Sequence, residues 1–206
     1  MNDNLRYADF LFWESDWMYK EFNRLEFVRS PKYFTLKVAL NMFLQNDGQL
    51  ILETGTQRMI DDPGGGSTVL FGALCKKYNK KLFTVDNDPK NIETSKQATR
   101  EYADYITYVL MDSVKFLSEF NQKIDLLYLD SLDCPWPPAD ATEAQTHNLN
   151  ELKAAYDKLH KGSVVLMDDS NFSNGGKTCL SKRYLLNSSE FLLILDGGQT
   201  LFIKVK

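Results

Sequence analysis

Short apolar runs alternate with longer stretches of mixed polar and apolar residues from residue 50 to the end of the chain. The short runs are typical of strands, and we place them at 50–53, 81–85, 105–109, 124–130 and 163–168. The stretches between them have helical length and spacing, and we place helices at 67–78, 89–103, 113–120 and 143–159. Strands that alternate with helices in this way predict an α/β fold with a doubly wound, mostly parallel sheet.

Two residues mark boundaries of the predicted helices. Pro89 stands in the first turn of the second helix, where its missing N–H group costs nothing. Gly162 follows the fourth helix, where glycine is a common stop.

The end of the chain departs from this alternation. A predicted helix at 177–186 is followed by two apolar runs, 191–195 and 200–205, with a short turn at 196–198 that contains two glycines. Two apolar runs joined by such a turn favour an antiparallel hairpin. We therefore expect the parallel sheet to be closed by a C-terminal antiparallel hairpin.

Residues 1–46 form a separate, aromatic-rich segment before the first strand. Approximate helical spacing predicts two helices broken at Pro31, so we divide the chain into a helical extension, 1–46, and a core domain, 47–206. We favour packing of the aromatics onto the domain over a dedicated aromatic surface for substrate. The aromatic residues are Phe10, Phe12, Trp13, Trp17, Tyr19, Phe22, Phe27, Tyr33 and Phe34.

The composition narrows the class of protein. Of the 206 residues, 43% are hydrophobic and 25% charged, and no apolar run approaches the roughly 20 residues that span a bilayer. The first residues lack the basic and aliphatic regions of a secretory signal, and the three cysteines are scattered, so we expect a cytoplasmic protein with reduced thiols. A net charge of -4 with dispersed basic residues argues against nucleic acid as a partner.

Acidic residues stand at or directly after the end of every predicted parallel strand. They are Glu53, Asp86, Asp112, Asp130 and Asp168. In doubly wound sheets ligands bind outside the carboxyl ends of the strands, and carboxylates gathered there need a donor, a cation or a ligand hydroxyl as partner. The sequence therefore predicts a ligand site at this edge of the sheet.

The acidic strand ends and the closing hairpin resemble the class I S-adenosylmethionine (SAM)-dependent methyltransferases, which have a Rossmann-like fold, over about three quarters of the chain. The resemblance implies that the turn 53–56 approaches the amino-acid part of SAM, and that Asp86 accepts the ribose hydroxyls. It also implies that Asp112 addresses the adenine amino group, and that Asp130 faces the methyl donor. The cofactor-binding residues implied are Glu53, Thr54, Gly55, Thr56, Ser67, Asp86, Asn87, Asp112, Ser113 and Asp130.

The first loop departs from the family pattern. The family has glycines at alternate positions, whereas here Gln57 and Met59 follow Gly55, and three further glycines come only at 64–66. Residues 57–66 could fold over the cofactor as a lid, or form a surface loop without a ligand role.

Some small-molecule O-methyltransferases of this family bind a divalent cation at the ends of the fourth and fifth strands. Asp130, Asp168 and Asp169 match that arrangement, and their oxygen atoms would suit Mg²⁺ or Ca²⁺. The alternative is that Asp168 and Asp169 cap a following turn.

His147, at the start of the fourth predicted helix, is a candidate general base on an acceptor hydroxyl. The alternative is a structural histidine. The two candidate catalytic residues are thus Asp130 and His147. If no cation binds, His147 becomes the better candidate for the general base.

The resemblance implies an enzyme that transfers the SAM methyl group to an oxygen or nitrogen atom of a small molecule. We expect a small-molecule methyl acceptor as partner, no nucleic acid and no membrane, with a homodimer as an option. Two alternatives stay open: a relic of the fold that binds SAM or a partner without turnover, and a nicotinamide-dependent oxidoreductase. The oxidoreductase would require a G-x-G-x-x-G loop after the first strand, which this sequence lacks.

Overall fold

Seven strands form one sheet in the computed structural model, which describes residues 15–61, 66–134, 140–172 and 174–206. They are β1 (Leu50–Thr54), β2 (Lys81–Asp86), β3 (Ile106–Leu110), β4 (Ile124–Leu129), β5 (Leu159–Met167), β6 (Phe191–Asp196) and β7 (Thr200–Lys204). The strand order is β3-β2-β1-β4-β5-β7-β6. Strands β1 to β5 pair in parallel, and β7 runs antiparallel to both β5 and β6. This topology confirms the predicted doubly wound sheet and its closing hairpin.

Seven α-helices accompany these strands in the described residues. They are α1 (Asp16–Arg24), α2 (Tyr33–Gln45), α3 (Ser67–Tyr78), α4 (Pro89–Ala98), α5 (Ser113–Glu119), α6 (Thr142–Ala155) and α7 (Cys179–Leu186). None of the helices in the described ranges is long and apolar enough to cross a membrane.

The sheet is buried on both faces, because successive side chains of a strand point to opposite sides. In β4, Leu126 and Tyr128 belong to the apolar core on one face, whereas Leu127 and Leu129 belong to the core on the other. All four side chains are fully buried. The ends of the central strands are therefore fixed from both sides, and the residues that follow them are held in place.

The described part of the N-terminal extension shares the first of these cores. Phe22 packs edge-to-face on Phe27 and Tyr33, with ring centroids 5.9 and 5.2 Å apart, and Phe43 is buried beside them. This supports the packing role predicted for the aromatic residues. Phe10, Phe12 and Trp13 lie outside the described residues, and the division of the chain at residue 46 stays a prediction.

Two predicted helix ends were wrong. Helix α4 ends at Ala98 and gives way to a 3-10 helix at Arg100–Tyr105, where the N–H of Tyr102 donates to the Thr99 carbonyl three residues back at 2.8 Å. Helix α6 ends at Ala155, and β5 already begins at Leu159, so Gly162 lies within a strand and does not stop a helix. The pairing register shifts between Ile124 and Leu126 of β4, so the extra β5 residues around Gly162 form a bulge.

Candidate functional site

A cavity of about 810 Å³ opens at the carboxyl ends of β1, β2, β3 and β4. Nine of the eleven residues that the sequence analysis names as cofactor-binding or catalytic line it: Gly55, Thr56, Ser67, Asp86, Asn87, Asp112, Ser113, Asp130 and His147. The site therefore lies at the sheet edge where the acidic strand ends predicted it. Its volume is in the usual range for small-molecule sites.

Gly55 makes the turn after β1. Its φ of 79° is in the left-handed region, and its N–H donates to the carbonyl of Val85 at 2.9 Å. A Cβ atom at this position would lie 2.3 Å from the carbonyl oxygen of Asp130. Only glycine lets the loop after β1 come this close to the end of β4.

Glu53 and Thr54 lie beneath the cavity and not on its wall. The Glu53 carboxylate is fully buried and accepts hydrogen bonds from the hydroxyls of Ser67 at 2.6 Å, Thr68 at 2.7 Å and Thr84 at 2.8 Å. Burial raises the pKa of Glu53 to about 7. Glu53 thus ties the start of α3 to β1 and β2. The cofactor contact that the resemblance implies for Glu53 stays a prediction.

Two carboxylates on the cavity wall are fixed by short-range hydrogen bonds. Asp86, at the end of β2, accepts from the backbone N–H of Asp88 at 2.8 Å and from the amide of Asn91 at 3.2 and 3.3 Å. Asp112 caps α5 and accepts from the N–H of Lys115 at 2.8 Å. Both have further lone pairs that can accept from a ligand.

His147 projects from α6 toward the β3 end of the cavity. Its Nε2 atom lies 3.1 Å from the Ser113 hydroxyl and 3.5 Å from Oε1 of Glu151. The contact with Glu151 raises the pKa of the imidazole above its usual value, so His147 holds its proton more firmly than a free histidine. Of its neighbours, Asp112 is the residue that the resemblance assigns to the adenine amino group, and Ser113 is among the cofactor-binding residues that it implies.

The three carboxylates predicted to bind a cation do converge, but they are paired with lysines. Lys177 Nζ lies 2.6 Å from Oδ1 of Asp130 and 3.4 Å from Oδ2 of Asp169. Lys32 Nζ forms an ion pair with Oδ2 of Asp168. In the described ranges, no group of three or more His, Cys, Asp or Glu side chains is arranged to hold a metal ion. The structure therefore gives no support to the predicted Mg²⁺ or Ca²⁺ site at Asp130, Asp168 and Asp169.

Tyr128 joins two of these carboxyls. Its hydroxyl lies 3.1 Å from Oδ2 of Asp130 and 3.1 Å from Oδ2 of Asp168, and it accepts from the Gln199 amide at 3.2 Å. A hydroxyl has one proton to donate, so one carboxyl must hold a proton itself if both contacts are hydrogen bonds. Three carboxyls, two lysines and one tyrosine thus form a single network, in which Asp168, Lys177 and Tyr128 are buried and the other three side chains are partly exposed.

Of the two coupled carboxyls, Asp130 is the one whose protonated form is favoured. Burial, reinforced by the charge of Asp168, raises the pKa of Asp130 to about 8. Burial alone would also raise the pKa of Asp168, but Lys32 and Lys177 together bring it below its usual value. The carboxyl that faces the cavity therefore has the higher pKa of the pair.

The sequence did not indicate the two lysines. Lys32 precedes α2 in the N-terminal extension, and Lys177 lies just before α7, far in sequence from the strand ends they contact. Lysine is a common surface residue, and neither position stands in a recognisable motif. Only the packing of α2 and of the loop before α7 against the sheet reveals their role.

Comparison with known proteins places this geometry in a family. A family model described as a methyltransferase domain matches residues 62–170, just over half of the chain. Among curated proteins, no sequence matches this chain.

Several solved structures share the fold at low sequence identity. The SAH-bound methyltransferase PaMTH1 of Podospora anserina is 14% identical with a TM-score of 0.62, and the match covers 100% of this chain and 97% of that one. CalS11, a TDP-rhamnose 3'-O-methyltransferase of calicheamicin biosynthesis, is 17% identical with a TM-score of 0.56, over 94% and 96% of the two chains. A structure described as an rRNA methylase from Clostridium thermocellum is 12% identical with a TM-score of 0.55, and the match covers 75% of this chain and 88% of that one. Since the family model covers more than half of the sequence and these structures share its fold, the chain belongs to the class I SAM-dependent methyltransferases.

Proposed function

We propose that the protein transfers the methyl group of SAM to an oxygen, or alternatively a nitrogen, atom of a small molecule. The observation that carries this proposal is the cavity itself, whose wall holds the carboxyls of Asp86, Asp112 and Asp130 together. Family and fold both match methyltransferases, so the nicotinamide alternative has no support.

The residues on the wall fit SAM. The carboxylate of Asp86 would accept the two ribose hydroxyls, and Asp112 would accept from the adenine amino group. Gly55 and Thr56 would bring the backbone close to the amino-acid part, near the start of α3 at Ser67. When bound, SAM supplies an electrophilic methyl group on a sulfonium.

Asp130 is our candidate for the base. An acceptor hydroxyl beside it would pass its proton to the carboxylate as the carbon–oxygen bond forms and the carbon–sulfur bond breaks. The ammonium of Lys177 holds Oδ1 of Asp130, so the carboxyl keeps a fixed orientation. His147 is the weaker candidate, because its Nε2 atom is already engaged with Ser113 and Glu151.

Asp86→Ala should weaken SAM binding about tenfold or more, or roughly 1.4 kcal/mol, because the ribose hydroxyls would lose their acceptor. Isothermal titration of the purified protein with SAM measures this directly. A matched control is Asp104→Ala, which removes an exposed carboxylate from the 3-10 helix before β3 and should bind SAM like the wild type. Equal affinity of Asp86→Ala and wild type would contradict the assignment of the ribose site.

The loop after Gly55 should become ordered over the cofactor. Arg58 reaches across the cavity to Asp133 with Nη1 and Oδ2 2.5 Å apart, while the side chains of Met59 and Ile60 are exposed. Exposed ion pairs contribute little, so we expect amide exchange at 57–61 to be fast without ligand and to slow with SAM. Mass spectrometry of deuterated peptides tests this, with the buried strand β4 as the internal control. Equal amide exchange rates at 57–61 with and without SAM would favour the surface-loop alternative. Residues 62–65 of the predicted lid lie outside the described residues.

The acceptor class has its own test, because the solved structures of similar fold include an rRNA methylase as well as a sugar O-methyltransferase. The net charge of -4 favours a small molecule over RNA. SAM labelled in its methyl group, incubated with the protein and with either a low-molecular-weight metabolite fraction or total RNA, separates the two. Label in the small-molecule fraction supports the proposal, label in RNA contradicts it, and label in neither favours the non-catalytic alternative.

A further inference from the structure

We propose that Lys32 and Lys177 together take the place of a divalent cation at the ends of β4 and β5, so that this methyltransferase needs no metal. Two ammonium groups carry the same charge as one divalent ion. They contact all three carboxylates that a cation would use: Asp130, Asp168 and Asp169. The catalytic part of this inference rests on the proposed function, whereas the charge replacement itself does not.

The conformation of the loop before α7 fixes the position of Lys177. Gly176 has a φ of 61°, and a Cβ there would lie 1.7 Å from the carbonyl oxygen of Asp169. The amide of Gln145 donates to the Gly176 carbonyl at 2.9 Å, and the N–H of Lys177 donates back to the Asp169 carbonyl at 3.2 Å. These contacts hold the Lys177 side chain, which is only 1% exposed, among the carboxylates.

Lys32 supplies the second charge from the opposite side of the network. It lies directly before α2, and its carbonyl accepts from the Thr35 hydroxyl at 3.1 Å. Its ammonium pairs with Asp168, which is almost fully buried, while Lys32 itself also lines the main cavity. Lys32 is thus positioned to contact an acceptor oxygen, as a metal ion would.

The carboxylates leave little reason for a metal to bind. A cation would have to displace Lys177 from Asp130 and Asp169, leaving a buried ammonium without its partners, which is strongly unfavourable. A lysine is covalently part of the chain, so its charge stays beside the carboxyls at any metal concentration. Removing the lysines should reverse this preference and expose a cluster of oxygen ligands suited to a hard cation.

The test is binding of Mn²⁺ to the full chain, measured by the loss of its free electron paramagnetic resonance signal, without SAM or acceptor. Wild type should bind no stoichiometric Mn²⁺ at this cluster. Lys32→Gln combined with Lys177→Gln should bind one Mn²⁺ at least about tenfold more tightly than wild type, and its melting temperature should rise with Mn²⁺. The control Lys204→Gln removes a lysine that pairs with Glu190 at 3.2 Å, away from this cluster, and should bind Mn²⁺ no more tightly than wild type.

Two outcomes overturn the inference. One is stoichiometric Mn²⁺ binding by wild type that Asp168→Asn abolishes, and the other is a folded double variant with no gain over wild type. If the double variant does not fold, Lys32→Gln alone decides, since Lys32 is partly exposed and its removal frees Asp168. A failure of SAM to bind would contradict the proposed function but would not change these Mn²⁺ results. The two proposals can therefore be refuted independently.

Discussion

Gly55→Ala is expected to weaken SAM binding by about a hundredfold, or roughly 2.8 kcal/mol, and to lower the melting temperature as well. An alanine would have to adopt the left-handed conformation, and its Cβ would press on the carbonyl of Asp130 at 2.3 Å. Since backbone cannot rotate aside as a side chain can, either the loop after β1 or the end of β4 must move. Both carry residues of the cavity wall.

The control for this substitution is Gly197→Ala in the β6-β7 turn. A Cβ at Gly197 would meet only the Gln199 carbonyl oxygen, at 4.0 Å, so SAM affinity should be unchanged. Titration calorimetry and thermal melting of both variants against wild type separate local crowding from a general effect of alanine. Wild-type affinity in Gly55→Ala would show that the close approach of the two loops is not needed for binding.

Asp130→Asn should lower turnover by about 10² to 10⁴, the usual contribution of a general base, while leaving SAM affinity much less affected. The wild-type rate should rise as the pH passes through about 8, because the base works only after the raised pKa of Asp130 is exceeded. Of the charged groups that face Asp130, Asp168 favours its protonated form, whereas Lys177 and Lys32 oppose it. The Tyr128 hydroxyl donates to Oδ2 of Asp130 at 3.1 Å. The asparagine variant should lose this step in the pH profile.

The measurement uses the acceptor identified with methyl-labelled SAM. Asp157→Asn, an exposed substitution in the 3-10 helix before β5, is the control and should keep both rate and profile. If Asp130→Asn keeps the pH step and His147→Ala loses it, the base is His147. Turnover that is indifferent to both substitutions would leave positioning alone as the source of catalysis.

The sequence was sufficient for the sheet and for the edge of the sheet at which the cavity lies. Asp86 and Asp112 each follow a short apolar run, and in a parallel sheet such positions must meet at one edge. The bulge around Gly162 was missed because a glycine after a helical pattern has the same local signature whether it stops a helix or interrupts a strand.

The pairing of the carboxyls at the ends of β4 and β5 with two lysines could not be predicted. An acidic triplet at two strand ends is compatible with a metal ion, with solvent or with lysines, and only tertiary packing distinguishes these cases. His147 is similar: its helix was expected, but its contact with Ser113 depends on how α6 lies against the start of α5. The long-range contacts of single charged side chains leave no periodic trace in a sequence.

The position of Lys32 has a consequence for how this chain is divided into parts. The sheet and its hairpin look like a self-sufficient unit, with the N-terminal helices as an optional cover. Yet Asp168, which directly follows the central strand β5, forms its ion pair with Lys32 of the N-terminal extension. A version of the protein trimmed to the sheet would lose this charge together with the aromatic side chains of the extension that share the core. Exchange of the extension between related chains would therefore change the charge beside Asp168 as well as the packing of the core.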